Sequence, residues 1–405
     1  MAKNRKSKAP FDQSRLKHWR LLDAFALRLD KAGAAMADGG GRRRNATFED
    51  PRRKLAGNDY LSLLLFGLFN PVVKSMRALC MASHLERVQR EVCSHPVSLG
   101  SFSEAQSVID PALLEKVFMD LVEEEISGEA VLRDPALERY RKVLTAVDGT
   151  LWEALPRMAW AQWRTQNRTQ RAVKMELKFN ILDDRPAGAK IGPGKTCEKA
   201  LLRPQLSEGE FYVGDRYYGK DYELLGTLER MDCSYVIRLH DNAVIEPVEN
   251  LELTAEDRRA GIIQDCWARV GFRGKGPLRR VVVIVIPGGE EITLVTDKGP
   301  EELSAELIGR IYRYRWQIEL FFKWLKSILG CRHWFAESPD GVAIQIYTAL
   351  IGALLLARRC GKKPTKRQME LLQFYFMGYA TLEELERMLP GLGSAAGNGS
   401  KTKKS

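Results

Sequence analysis

Three acidic residues stand where this sequence suits chemistry. Asp148 ends a short apolar run over 143–148 (VLTAVD), just ahead of Gly149, and Asp215 ends a second run over 210–215 (EFYVGD). A short apolar strand that runs into a carboxylate leaves that carboxylate at a sheet edge. Two such strands side by side and parallel bring their acids together. A hard divalent cation needs only two or three carboxylates, several waters and a substrate phosphate. The third acid, Glu319, lies in IYRYRWQIELFFKWLKSILG. At about 100° per residue, Tyr312, Arg315, Glu319 and Lys326 fall within about 60° of one helix face. Arginine forks onto phosphate oxygens and lysine adds a mobile point charge, so this face suits a metal ion and a phosphate together. The same spacing also suits a solvated face on which Glu319 pairs with Arg315 or Lys323. Spacing alone leaves both readings open.

The elements that must position these residues follow from periodicity. Strands are expected over 143–148, 172–182, 210–215, 234–239, 266–270, 278–286 and 292–296, with Pro287-Gly288-Gly289 turning between the last two. A helix is expected over 222–231, and one long helical segment over 300–329. Residues 57–127 and 341–390 also read as helical: Leu61, Leu64, Leu65 and Leu68 recur at helical spacing, and Asn70-Pro71 ends that stretch. Ser101 precedes Glu104 at capping-box spacing, so Ser101 and Ser103 read as capping residues, not nucleophiles. Arg171, just before the 172–182 strand, and Lys174 and Lys178 on it read as a solvated strand face, with an anionic partner as the alternative. Asp183-Asp184 reads as a turn. Asp297 ends a strand but lacks the basic companions of Glu319. Residues 16–29 suit an amphipathic helix, 39–44 (GGGRRR) a linker and 391–405 a flexible tail.

With 405 residues, 45% hydrophobic and 28% charged, the composition excludes a collagen-like, wholly disordered or coiled-coil chain. The net charge is +11. It is concentrated at the ends: residues 1–60 hold 15 Lys and Arg against 7 Asp and Glu, and residues 361–405 hold 8 against 4. The intervening chain, with all three acids, is close to neutral. Seven cysteines without a CxxC pair and five scattered histidines support neither a disulfide framework nor a zinc site. The first residues contain no apolar signal segment, and the runs 61–69 and 349–357 fall well short of the roughly 18 residues of a membrane span. The chain therefore reads as soluble, intracellular and without a membrane partner.

The string Tyr312-x2-Arg315-x3-Glu319-x6-Lys326, with Trp316 after the arginine and Ile318 before the glutamate, resembles the signature of the insertion-sequence-four group of DDE transposases. YVGDRYYG is similar to that group's Asp-Arg-Gly-Tyr motif around the second aspartate, with Tyr217 where the family usually has glycine, and VLTAVDGT is similar to its first-aspartate strand. The resemblance covers residues 95–357. It implies an α/β fold: an RNase H-like mixed sheet with a β-rich insertion before the Glu-bearing helix, plus helical N- and C-terminal regions. The implied organisation is a basic arm (1–56), a helical DNA-binding region (57–135), the first part of the catalytic core (136–239), the insertion (240–291), the second part of the core (292–357) and a C-terminal helical region with a basic tail (358–405).

In this resemblance Asp148, Asp215 and Glu319 are the catalytic and metal-binding acids. They hold two Mg²⁺ ions, with Mn²⁺ able to substitute. Tyr312, Arg315, Lys326, Arg216 and Tyr218 contact DNA phosphates. Trp316 and Trp267 are candidates to stack a flipped base, with a core or interface tryptophan as the alternative for each. The implied activity is transposition: endonuclease cleavage and strand transfer at element ends, cut-and-paste through a hairpin. The partners are double-stranded DNA, as terminal inverted repeats and target, and a second copy of the chain. The implied location is the cytoplasm, at the nucleoid. The alternatives are a non-catalytic DNA-binding descendant or transposition inhibitor, and a metal-dependent nuclease that cannot join strands.

Overall fold

Strand-forming and helix-forming stretches alternate from residue 144 onward, and they build one mixed sheet in the computed structural model. The structure describes residues 57–124, 130–165, 168–271, 275–327 and 333–388, together with Arg28, Ala32 and Leu55. The helix expected over 16–29 (apart from Arg28), the 39–44 linker, the 391–405 tail and Cys331 lie outside the described residues. The chain divides into two units, Ser127–Lys323 and Met1–Ile126 with Trp324–Ser405.

In the first unit the strands are β1 (Leu144–Glu153), β2 (Gln162–Arg164), β3 (Thr169–Asn180), β4 (Arg185–Pro193), β5 (Phe211–Gly214), β6 (Ser234–Arg238), β7 (Ile245–Asn250), β8 (Ile262–Val270), β9 (Leu278–Val285) and β10 (Glu291–Thr296). Among the described residues they form a sheet ordered β2-β3-β1-β5-β6-β10-β9-β8-β7, with β4 also on β3. The strands β1, β5 and β6 run parallel, and all other pairings are antiparallel. The β-rich stretch expected over 240–291 does not fold apart. Its strands β7, β8 and β9 extend the same sheet through β10. The edge strand β7 carries Pro247 and a register shift beside it, both of which discourage further strand pairing.

Several expectations change. β1 does not stop at Asp148 but continues to Glu153, because β3 goes on pairing with it after β5 has ended. β2, β4 and β7 were not expected. Their sequences are short or rich in Gly, Pro and charge (RPAGAKIGP in β4), which hides a strand from periodicity. The segment expected as one helix over 300–329 is two, Ala305–Tyr314 and Trp316–Ser327, broken at Arg315. There the N–H of Arg315 bonds the Tyr312 carbonyl and the N–H of Ile318 bonds the Arg315 carbonyl, a tighter winding than the α-helix. Lys174 and Lys178 are not on a solvated face. Both are buried, Lys174 paired with Glu198 at 3.1 Å and Lys178 with Glu210 at 2.6 Å.

The second unit is helical. Its described helices are Gly57–Phe69, Met76–Ala82, Glu86–Glu91, Leu99–Val108, Pro111–Glu123, Pro339–Cys360, Lys366–Met377 and Leu382–Met388. The cap of Leu99–Val108 is Ser98, which accepts from the Ser101 N–H, so the expected cap at Ser101 moves one turn earlier. Pro339–Cys360 starts on Ser338 with Pro339 in its first turn and ends at Gly361, whose φ of 72° suits glycine. It is apolar all round, with Ile344, Ile346, Ala349, Leu350 and Ile351 fully buried against helices of the N-terminal region. Residues Pro339–Arg358 have the length and hydropathy of a membrane span, more than the 349–357 run suggested, yet 89% of that window is buried inside the protein. The described chain from Trp324 thus groups with the N-terminal helices, whereas the sequence division placed 292–357 in the core.

Candidate active site

Two strand ends bring the aspartates together. β1 and β5 pair in parallel up to Ala146 and Val213. Two residues further along each chain are Asp148 and Asp215, which are therefore level. β5 and β6 pair in parallel up to Gly214 and Ile237, so the next row sets Asp215 level with Arg238. Three neighbouring parallel strands thus present Asp148, Asp215 and Arg238 toward their carboxyl ends, where open α/β sheets place ligand crevices. Asp215 is fixed by its own loop: its side chain accepts the Tyr217 N–H at 2.8 Å and its carbonyl accepts the Tyr218 N–H. Tyr217 has φ −68° and ψ −39°, so no glycine is required at that position. Gly219 is required, because a Cβ there would collide with the Arg238 carbonyl oxygen.

The two helices supply the rest. Ser304 caps Ala305–Tyr314, and the break at Arg315 turns its guanidinium between two acids. Arg315 Nη1 lies 3.4 Å from Asp148 Oδ2, and Nη2 donates to Glu319 Oε1 at 2.6 Å. The Tyr312 ring lies 5.7 Å from the Arg315 guanidinium carbon. The pairing of Arg315 with Glu319 weighed in the sequence is present, and it reaches Asp148 as well. The helix turn before this is anchored from two sides. Asp134, buried, accepts from Arg310 at 3.0 Å and from the Tyr314 hydroxyl at 3.1 Å. Buried Arg280 forks onto Asp265 at 2.6 and 2.9 Å and donates to the Leu303 carbonyl at 2.5 Å.

The electrostatics are those of crowded acids. Burial pushes the Asp148 carboxyl up to about 7; Arg315 opposes this, while Asp215 and Glu319 add to it. Burial also raises the Tyr312 hydroxyl, against the pull of Arg315 and Arg238. Arg315 is held above its ordinary value despite burial, by Tyr312, Glu319 and Asp148. Among the described residues no three acidic, histidine or cysteine side chains gather tightly enough to enclose one ion, and Arg315 stands between Asp148 and Glu319.

The other expected residues fall as follows. Arg216 is 57% exposed and pairs with Asp241 at 3.3 Å. Lys326 lies in the last turn of the Trp316–Ser327 helix. Trp316 is 57% exposed. Trp267 is half-buried in β8, opposite Arg280 and Glu249. Tyr218 does not fit a phosphate contact. It is fully buried and its hydroxyl donates to Glu176 Oε1 at 2.5 Å, so it secures the Asp215 loop from beneath. Glu176 was missed by sequence reasoning. It sits on β3 with no exposure, and burial raises its carboxyl well above the usual range, with the Tyr218 hydrogen bond opposing. The K-x-E-x-K alternation in β3 was its only signal, and alternation says nothing about whether a face is covered.

A family profile described as the transposase DDE domain matches residues 139–356. The chain is 26% identical over 240 residues to a Sinorhizobium fredii protein named as a transposase, covering 58% of this chain and 65% of that protein, just under two thirds of its length. It is 26% identical over 269 residues to one named for insertion sequence element IS4SA from Synechocystis sp., covering 64% and 71%. It is 20% identical over 383 residues to the transposase of insertion sequence element IS231C from Bacillus thuringiensis, covering 80% and 77%. Among solved structures, a piggyBac transposase synaptic complex with hairpin DNA superposes with a TM-score of 0.41 at 12% identity, covering 88% of this chain and 82% of that one. With more than half its length matched by that profile, the chain belongs to the transposase DDE domain family.

Proposed function

We propose that this protein is the transposase of an insertion sequence: it cuts the element's ends and joins them to target DNA by metal-dependent phosphodiester chemistry. The observation that carries this reading is the level placement of Asp148 and Asp215 on parallel strands, with Arg315 linking Asp148 to Glu319. The strand order β4-β3-β1-β5-β6, with β1, β5 and β6 parallel and β3 and β4 antiparallel, supports an RNase H-like core.

The donor set suits a hard divalent cation: all three are carboxylates, Asp148 and Asp215 stand level on adjacent parallel strands, and Arg315, which lies between Asp148 and Glu319, would yield its place to the metal. Asp148, Asp215 and Glu319 would hold Mg²⁺, or Mn²⁺ in its place, as a pair of ions. Bound there, the ions supply activation of an attacking water or 3′-hydroxyl and stabilisation of the departing oxygen. The chain's own groups do the rest. Arg315 orients Glu319 and offers its guanidinium to phosphate oxygens. Tyr312 stacks beside it, and Arg216 and Lys326 contribute charge to the backbone of double-stranded DNA. Exposed Trp316 is suited to stack an unpaired base in a hairpin intermediate, with Trp267 the second candidate. Two element ends cut together imply a homodimer on DNA, working in the cytoplasm at the nucleoid.

The test is incubation with duplex carrying the terminal inverted repeats that flank the coding region. Mg²⁺-dependent cleavage at the repeat ends, followed by strand joining, supports the reading. Binding without cutting supports a transposition inhibitor, and cutting without joining a nuclease.

A further inference from the structure

Arg238 stands at the end of β6 but belongs to neither sequence motif. Its place follows from register: the row that sets Asp148 level with Asp215 continues one strand further to Arg238. The Asp215 loop rests on it, since Gly219 packs so closely on the Arg238 carbonyl that no Cβ fits. Its positive charge, with that of Arg315, whose guanidinium carbon lies 5.7 Å from the Tyr312 ring, favours the ionised form of the Tyr312 hydroxyl against burial. The side chain is 16% exposed. Its Nε is buried and has no hydrogen-bond partner among the described residues, as is also true of Arg315 Nε.

The carboxylates that hold Arg238 are of a different kind from those of the buried pairs. Glu290, from the Pro287-Gly288-Gly289 turn, accepts from Nη2 at 2.8 Å and is 57% exposed. Asp241 lies 3.6 Å from the same nitrogen, is 69% exposed, and also pairs with Arg216 at 3.3 Å. Exposed ion pairs are weak and readily exchanged. A backbone phosphodiester presents the same paired-oxygen geometry to a guanidinium with one full negative charge, so it can take the place of an exposed carboxylate.

We propose that Arg238 is a further phosphate-binding residue of the active site, and that Glu290 and Asp241 occupy its guanidinium until a DNA backbone phosphate displaces them. The proposal rests on the transposase reading. It adds Arg238 to the Tyr-Arg-Glu-Lys set and gives the insertion turn a role: Glu290 competes with DNA for the site.

The test is equilibrium binding of terminal-repeat duplex across a salt series, with single-turnover cleavage in parallel. It uses the full-length protein and its Arg238→Ala, Arg238→Lys, Glu290→Gln and Arg238→Ala/Glu290→Gln variants. Arg238→Ala should weaken binding about 10- to 100-fold, the worth of a charged hydrogen bond, and lower the salt slope by about one. Arg238→Lys should restore the slope but only part of the cleavage rate, because lysine keeps the charge and loses the fork. Glu290→Gln should tighten binding up to about fivefold, and only when Arg238 is present. Equal tightening with and without Arg238 would mean a general charge effect and would overturn the proposal. So would an Arg238→Ala protein with unchanged binding and slope while the wild type still binds and cuts. Failure of the wild type to bind or cut would overturn the transposase reading itself.

Discussion

Removing Asp265 should unfold this protein far more readily than its distance from the three acids suggests. Arg280 is 1% exposed and Asp265 4%. Arg280 spends Nε and Nη2 on the two Asp265 oxygens and Nη1 on the carbonyls of Leu303 and Lys298, at 2.5 and 3.3 Å. In Asp265→Ala the guanidinium stays buried without its counter-charge, a loss of about 3–5 kcal/mol. With a urea m-value of about 3 kcal/mol per molar, the midpoint should fall by about 1–1.7 M. Replacing both partners by apolar residues, Asp265→Leu with Arg280→Met, removes the stranded charge. The buried Leu303 carbonyl is then left without its donor, at about 1–3 kcal/mol, while the longer contact to the part-buried Lys298 carbonyl can be replaced by water, so the double variant should fall between the wild type and the single variant. Both carbonyls lie in the turn that leads into Ala305–Tyr314, so the double variant should also cut DNA more slowly than its residual stability implies. Urea unfolding followed by tryptophan fluorescence measures the first quantity. An Asp265→Ala loss below about 1 kcal/mol, or a double variant no better than the single one, would refute the reasoning.

Other outcomes follow from the same geometry. Gly219→Ala should displace either the Asp215 loop or the end of β6 and abolish cleavage while DNA binding survives, as gel shift and cleavage assays run together would reveal. The raised Asp148 carboxyl means that the folded state holds more proton than the unfolded one between about pH 4 and 7. Stability without divalent ions should therefore decline across that window as pH rises, and Mg²⁺ should raise the melting temperature more at pH 7.5 than at pH 5.5. A melting shift independent of pH would count against Asp148 as a ligand. Deleting residues 1–44 should weaken DNA binding and flatten its salt dependence while cleavage remains detectable at low salt; an unchanged slope would mean that the basic arm does not grip DNA.

What could be read from the sequence depended on whether a signal was local. The places of Asp215 at a strand end and of Glu319 on a helix were legible because each sits in a short stretch of chain whose pattern is local. Asp148 was legible as an acid on a strand, but not its place within that strand, since β1 outruns β5 only because β3 supports it. The break at Arg315 was hidden because both helices share one apolar periodicity across it. Glu176, Asp134 and Arg280 were out of reach for a common reason: each acts through a partner at least 15 residues away, Arg280 on Asp265 being the nearest of these. Only strand order and helix packing create those pairs. Arg238 was out of reach because its place beside Asp215 is set by strand register. Tyr218 was misplaced because a motif preserves residue types and says nothing about which side of a loop is buried.

The most direct test of the central claim is single-turnover cleavage of terminal-repeat duplex by the wild type and by Asp148→Asn, Asp215→Asn and Glu319→Gln, each assayed in Mg²⁺ at pH 7.5. If the three carboxylates form one cation-holding site, every variant should lose at least about a thousandfold in rate, on the order of 4 kcal/mol of transition-state stabilisation, while binding the duplex within a few-fold of wild type. Cleavage that persists at near wild-type rate in any one of the three variants would contradict the assignment of that acid to the site.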